Sequence, residues 1–152
     1  MGAESGSQRV LDAMDKDVRV AEIYAARENL RVHDIRACLF LQFGYPGETW
    51  NDIEATIRMV RETDPDDVGI SVSYPLPGTK FHQIVAAEVG AKVNWNDSSD
   101  LSMMFRGAFS TEVYRALAEA LHAEVRGGKD PEPAWQLVHT LRDAECSQLA
   151  TI

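Results

Sequence analysis

Two short apolar runs, Ile35 to Phe43 and Val68 to Tyr74, each end at a turn rich in glycine or proline, with one amphipathic stretch between them. Runs of this length suit strands, and the residues between them repeat at helical spacing, so the chain reads as consecutive strand and helix units. Units of that kind place their strands parallel in one sheet. The first run is nearly continuous apolar sequence broken by Arg36 and Gln42, the pattern of a strand covered on both faces. The second alternates, with Val68, Ile70, Val72 and Tyr74 on one face and Gly69, Ser71 and Ser73 on the other. The apolar face is expected against helices, leaving the serine face toward an interior with room for a polar ligand. An ordinary half-exposed strand shows the same alternation.

The flanking sequence extends this order. Met1 to Ser7 is too short and polar for a full strand and reads as the end of one whose beginning is missing. Ser5, Ser7 and Gln8 are placed to cap the helix that follows, whose apolar side is Val10, Leu11 and Met14. Val20, Ile23, Tyr24 and Leu30 carry a second helix to about Val32. Thr49 caps a third with Asp52 in its first turn, and Trp50, Ile53, Ile57 and Val60 form its stripe until Pro65 stops it. After Pro75-Leu76-Pro77-Gly78, Thr79 caps a short helix through Phe81, Ile84 and Val85.

Residues 90–109 show little period, and Trp95, Met103, Met104 and Phe105 are expected to pack there as a covering loop. Helices from Thr111 to Val125 and from Ala134 to about Ala144 finish the chain, the second on Leu137, Val138 and Leu141. Gly127-Gly128 separates them. The expected division is an α/β unit over residues 1–88 and an irregular segment with C-terminal helices over 89–152. Two full strands cannot close a barrel.

Composition narrows the function classes. The 152 residues, 45% hydrophobic, fall in the range of one compact domain. A net charge of -9 opposes phosphate backbones and anionic membrane surfaces, which disfavours nucleic acid as a partner. No window approaches the ~20 apolar residues of a membrane span, and the expected location is the cytoplasm. Cys38 and Cys146 lie far apart without metal-ligand spacing, and Cys38 reads as a buried apolar thiol. His33, His82, His122 and His139 are scattered, with none at ligand spacing from a carboxylate.

The ends of the strands carry the special residues, which is where α/β proteins hold ligands. In Gly44-Tyr45-Pro46-Gly47-Glu48-Thr49 the glycines let backbone approach a ligand, and the helix start can bind an anionic group. A plain turn capped by Glu48 or Thr49 has the same composition. Glu4-Ser5-Gly6-Ser7 offers a carboxylate and hydroxyls suited to ribose or an ammonium group, or to simple capping.

Taken in order, Gly2-x-Glu4-Ser5-Gly6-Ser7, Val10-Leu11, Met14-x-Lys16, Phe43 to Thr49 and Pro75 to Thr79 resemble the second half of a radical S-adenosylmethionine enzyme core. Asn94 to Leu101, Met103-Met104-Phe105-Arg106-Gly107 and Tyr114-Arg115 are similar to the region after the barrel in cobalamin-binding members. Those members include the anaerobic magnesium-protoporphyrin monomethyl ester cyclases and their methylating relatives. The resemblance implies an incomplete (β/α) barrel of parallel strands, followed by a helical extension. In such enzymes a 4Fe-4S cluster on a CxxxCxxC loop cleaves S-adenosylmethionine to a 5′-deoxyadenosyl radical.

Carried over by residue, the resemblance puts Glu4 and Ser5 at the ribose or methionine portion of S-adenosylmethionine. Gln42 and Gly44 fall beside the adenosyl group, and Ser73, Tyr74 and Leu76 near the adenine. It also requires the ends near Ser7, Gly44 and Tyr74 to lie side by side as one wall of a cleft. The chain departs from the family in having no CxxxCxxC, so neither cluster nor cobalamin ligands are expected on it, and it should be inactive alone. The implied partner is a missing N-terminal half, or an adjacent chain carrying the cluster. A second expectation is a non-catalytic assembly module that associates, with a partner or with itself, through an open sheet edge.

Overall fold

The computed structural model describes residues 1–89 and 100–149. Trp95 and the motif from Asn94 to Ser99 lie outside the described residues. Three strands, β1 (Gly2–Glu4), β2 (Cys38–Phe43) and β3 (Asp67–Val72), form one sheet in the order β1-β2-β3. Both pairings are parallel, with Leu39 opposite Val68, Leu41 opposite Ile70 and Gly2 opposite Phe40. The carboxyl ends of all three strands therefore emerge along one edge, and the antiparallel arrangement that would have separated them does not occur.

The connections are α1 (Gln8–Ala13) and α2 (Val20–Val32) between β1 and β2, and α3 (Trp50–Thr63) between β2 and β3. After β3 come α4 (Lys80–Val85), a single 3-10 turn, α5 (Thr111–Arg126) and α6 (Glu132–Leu149). Leu39, Leu41 and Phe43 of β2 and Val68 and Val72 of β3 are buried with Ile23, Ile53, Val60 and Leu117 from the helices. Each such side chain contributes about 1.5–3 kcal/mol relative to exposure.

Among the described residues, only one face of the sheet is covered in this way. Phe40 on the opposite face is 58% exposed, which corrects the reading of a strand buried on both sides. Its ring lies over Gly69, where an added Cβ would come within 2.7 Å of Phe40 Cδ1. A glycine at 69 is what lets the ring lie down on the neighbouring strand.

Several boundaries differ from expectation for local reasons. Strand β2 begins at Cys38 rather than Ile35, because the Ile35 amide donates to the Leu30 carbonyl (2.9 Å) and extends the end of α2. Ile35 is consequently 52% exposed, and Cys38 is half-buried rather than buried. Ser7 sits at the N-cap of α1, yet its hydroxyl donates to Asp52 Oδ1 (2.6 Å) instead of serving the helix. Gln8 caps the next helix: its Oε1 accepts from the Val20 amide at 3.0 Å. Helix α6 runs further than Ala134 to Ala144 and turns Trp135 and Val138 inward, while Leu137 is exposed.

The two edges of the sheet are unlike. On β3, the Val68 carbonyl is reached from α5 by His122 Nε2 at 3.1 Å and by the Arg126 guanidinium at 3.3 Å. Arg126 also binds Asp67 at 2.8 Å, so α5 covers the start of that strand. On β1, Gly2 is exposed and only Ala3 is fully buried.

Candidate functional site

At the edge where the strands end, a cleft of about 750 Å³ opens between the end of α1, the Tyr45 turn and α4. Gln42, Tyr74 and Leu76, three of the residues singled out from sequence, line it together with Lys16 and Phe81. Gln42 stands on the open face of β2 and donates from Nε2 to Ser73 Oγ at 3.0 Å. Ser73 itself is fully buried and continues the ladder, its amide donating to the Phe43 carbonyl (2.8 Å). The Tyr74 hydroxyl is pushed up to about 12 by burial and by the charge of Asp100, so it stays neutral. Leu76 is 42% exposed and supplies apolar surface.

The other three predicted residues occupy different places. Glu4, at a left-handed φ of 59°, pairs with Lys16 Nζ at 3.4 Å, so it meets the cleft through that lysine. Ser5 is turned away: its Oγ lies 3.2 Å from Thr56 Oγ1 and accepts from the Ser7 amide at 3.1 Å, joining the turn to α3. Gly44, at φ 78°, lies behind the cleft wall against Met103 and Tyr114 rather than open to a ligand.

Behind that wall, two carboxylates organise the turn between β2 and α3. Asp52 accepts from the Thr49 amide (2.8 Å) and Oγ1 (2.6 Å), from Ser7 Oγ, and from Arg9. Burial alone would raise its carboxyl, and the hydrogen bonds from Ser7, Thr49 and Arg9 outweigh it, holding the group well below the usual carboxylate range. Glu48 is 3% exposed. Its Oε2 accepts from the Gly44 amide (2.7 Å) and, at 3.5 Å, from the Tyr114 hydroxyl, while Oε1 has no partner among the described residues. Burial, with Asp52 nearby, pushes Glu48 up to about 7. The turn thus holds one ionised carboxylate and one poised near neutrality, whose bond to Gly44 N fixes the tight bend.

Sequence reasoning placed Glu48 only as a possible cap, and nothing in its local sequence signals burial. The environment comes from Tyr114, 66 residues further on. Tyr45 and Phe81 were also missed as a unit: their rings stack at 5.1 Å, and the Tyr45 hydroxyl donates to the Ala13 carbonyl (2.8 Å).

The cleft offers an amide, a phenol, an ammonium group and apolar surface, a set suited to a nucleoside bearing a charged tail. A metal cluster does not fit the same residues. Among the described residues no group of three or more His, Cys, Asp or Glu side chains could hold a metal ion, and both cysteines are free thiols. No described helix is long and apolar enough to cross a membrane.

No family model matches the chain. It is similar to an uncharacterized methyltransferase of Pyrococcus horikoshii, 25% identical over 122 residues, covering 78% of this chain and 27% of the relative. It is also similar to tRNA-2-methylthio-N(6)-dimethylallyladenosine synthases. The one from Chromobacterium violaceum is 37% identical over 78 residues, and that from a Sulfurihydrogenibium species 32% over 78, in both cases 50% of this chain and 18% of the relative. The chain therefore spans between about a fifth and a quarter of the length of these relatives.

Proposed function

We propose that this chain forms the S-adenosylmethionine-binding wall of a radical S-adenosylmethionine enzyme, with the cluster supplied by other polypeptide. The observation that carries the reading is the parallel sheet whose β2 and β3 ends border a cleft lined by Gln42, Tyr74 and Leu76, with the end of β1 joined to it through the Glu4–Lys16 pair. Relatives named as a methyltransferase and as methylthio-adenosine synthases support the same class of chemistry.

In this reading Gln42 and Tyr74 hydrogen-bond the nucleoside, Leu76 and Phe81 exclude water from one side of it, and Lys16 meets the methionine carboxylate. Bound S-adenosylmethionine would supply the adenosyl group from which the radical is made. The two cysteines cannot form a three-cysteine cluster loop, and no step is assigned to a cluster on this chain. Cobalamin belongs to the proposal for the whole enzyme, whose reaction is radical methylation or oxidative ring formation, and no residue here is assigned to it.

Supplying the isolated chain with iron and sulfide tests the division of labour. The expected result is saturable binding of S-adenosylmethionine with no cluster and no 5′-deoxyadenosine. Unaided cleavage would overturn it. The second reading, an assembly module, is favoured by the contrast between the covered β3 edge and the exposed Gly2 on β1. Light scattering after size exclusion distinguishes it, since a monomer at every concentration, with no partner, counts against association.

A further inference from the structure

Residues 100–110 run behind the cleft wall, and Met103 there occupies space that only glycine at two positions leaves open. An added Cβ at Gly44 would lie 2.9 Å from Met103 Sδ and 3.0 Å from its Cε. An added Cβ at Gly107 would lie 2.6 Å from the same Cε. The thioether is therefore seated between two glycines, one on the turn after β2 and one on its own segment, in space that any larger residue at either position would fill. The ring of Tyr114 closes the seat, 3.4 Å from the Gly44 Cβ position. The backbone of Met103 is itself anchored, its amide donating to Thr111 Oγ1 (3.1 Å) at the start of α5.

A second contact ties the same segment to the cleft. Phe105 meets Phe81 edge to face at 5.4 Å, and Phe81 stacks on Tyr45. Gly44 is therefore held from behind by Met103 and from within by Glu48, and the residue after it, Tyr45, lines the cleft.

We propose that Met103 is a positioning residue for the cleft: seated between Gly44 and Gly107, it clamps the turn after β2, so that residues 100–110 set how Tyr45 and Gln42 face a bound nucleoside. The proposal rests on the S-adenosylmethionine reading for the identity of that nucleoside, but the clamp itself does not. Methionine suits the seat because its unbranched, polarizable side chain fills a narrow, irregular gap beside an aromatic ring. Leucine preserves most of that volume, and alanine leaves the seat empty.

The test compares the full chain with Met103→Ala, Met103→Leu and Gly107→Ala, using amide hydrogen exchange and titration with S-adenosylmethionine. Met103→Ala should speed exchange at residues 44–48 by about tenfold or more while α5 and α6 keep their protection. It should also weaken S-adenosylmethionine by about tenfold. Met103→Leu should restore both to within about threefold of the unaltered chain. Gly107→Ala, which displaces the methionine without removing it, should loosen the same four amides, those of Gly44, Tyr45, Gly47 and Glu48. Adding Met103→Ala to it should make the turn no looser, because both changes act on one contact.

Unchanged exchange at 44–48 in Met103→Ala overturns the clamp, and so does loosening that leucine fails to rescue. Failure of the unaltered chain to bind S-adenosylmethionine counts against the proposed function instead, while the exchange comparison still decides on Met103. Weaker binding with unchanged exchange also overturns the clamp.

Discussion

Replacing Glu48 with glutamine should change how the stability of this protein depends on pH, by an amount the geometry sets. Burial is the largest influence on the Glu48 carboxyl, and it lifts the group from 4.5 to about 7. The folded state then holds its proton longer than the unfolded chain does. The sign follows: the associated stability is fully present below about pH 4.5 and is lost as pH rises through about 7. At about 1.4 kcal/mol for each pH unit between those values, the loss is about 3 kcal/mol.

Other groups move differently. Asp52 is held below 3.8, so its contribution is present above that pH and disappears only as pH falls below it. His122 is lowered from 6.5, chiefly by burial, so its contribution is lost as pH falls. It opposes Glu48 in the same window, and comparing the two chains at each pH cancels it. Glu48→Gln keeps the side chain's length and an oxygen for the Gly44 amide but carries no charge. Urea denaturation of both chains at pH 5, 6, 7 and 8 should show the difference moving in favour of the variant by about 2.5 kcal/mol across the range, the remainder being lost below pH 5. A difference that stays constant with pH would refute the assignment of a buried, near-neutral carboxyl at this turn.

Three further substitutions probe the fold and the cleft. Gly6→Ala places a methyl 2.4 Å from the Ala55 carbonyl oxygen, a backbone atom with no freedom to yield, and should cost about 2–3 kcal/mol in thermal denaturation. Leu117→Ala empties a fully buried site between α5 and the sheet and should cost about 2–5 kcal/mol by the same measurement. Leu76→Asp, at a position 42% exposed, should leave stability within about 0.5 kcal/mol and weaken S-adenosylmethionine about tenfold by calorimetric titration.

The parts legible from sequence were those carried by local pattern. The alternation from Val68, the Gly-Tyr-Pro-Gly turn and the Thr49 and Asp52 pair placed β3, the bend and the start of α3 near where they lie. Boundaries shifted where a single backbone bond intervened, as at Ile35, or where a side chain served a different helix, as with Gln8. The open face of β2 was not legible, because Phe40 is apolar in composition and its exposure depends on which face of the sheet the described helices cover.

The candidate site divides in the same way. Gln42, Tyr74 and Leu76 were reachable through the family resemblance, which points to the ends of strands, whereas period two alone grouped Tyr74 with the apolar face. Ser5 carries the same motif weight and points into α3, since its hydroxyl finds Thr56 across 51 residues of chain. The seat of Met103 depends on two glycines, one of them 59 residues earlier in the chain, and spacing along the chain gives no sign of it.

Photolabelling with an azido-adenosyl analogue of S-adenosylmethionine, followed by peptide mapping, tests most directly whether the three strand ends form a nucleoside-binding wall. The expected result is saturable labelling on the segments around Gln42 and Tyr74 to Leu76, competed by unlabelled S-adenosylmethionine and needing about tenfold more analogue in Leu76→Asp. Labelling confined to α5 and α6, or labelling that S-adenosylmethionine does not compete, would contradict it.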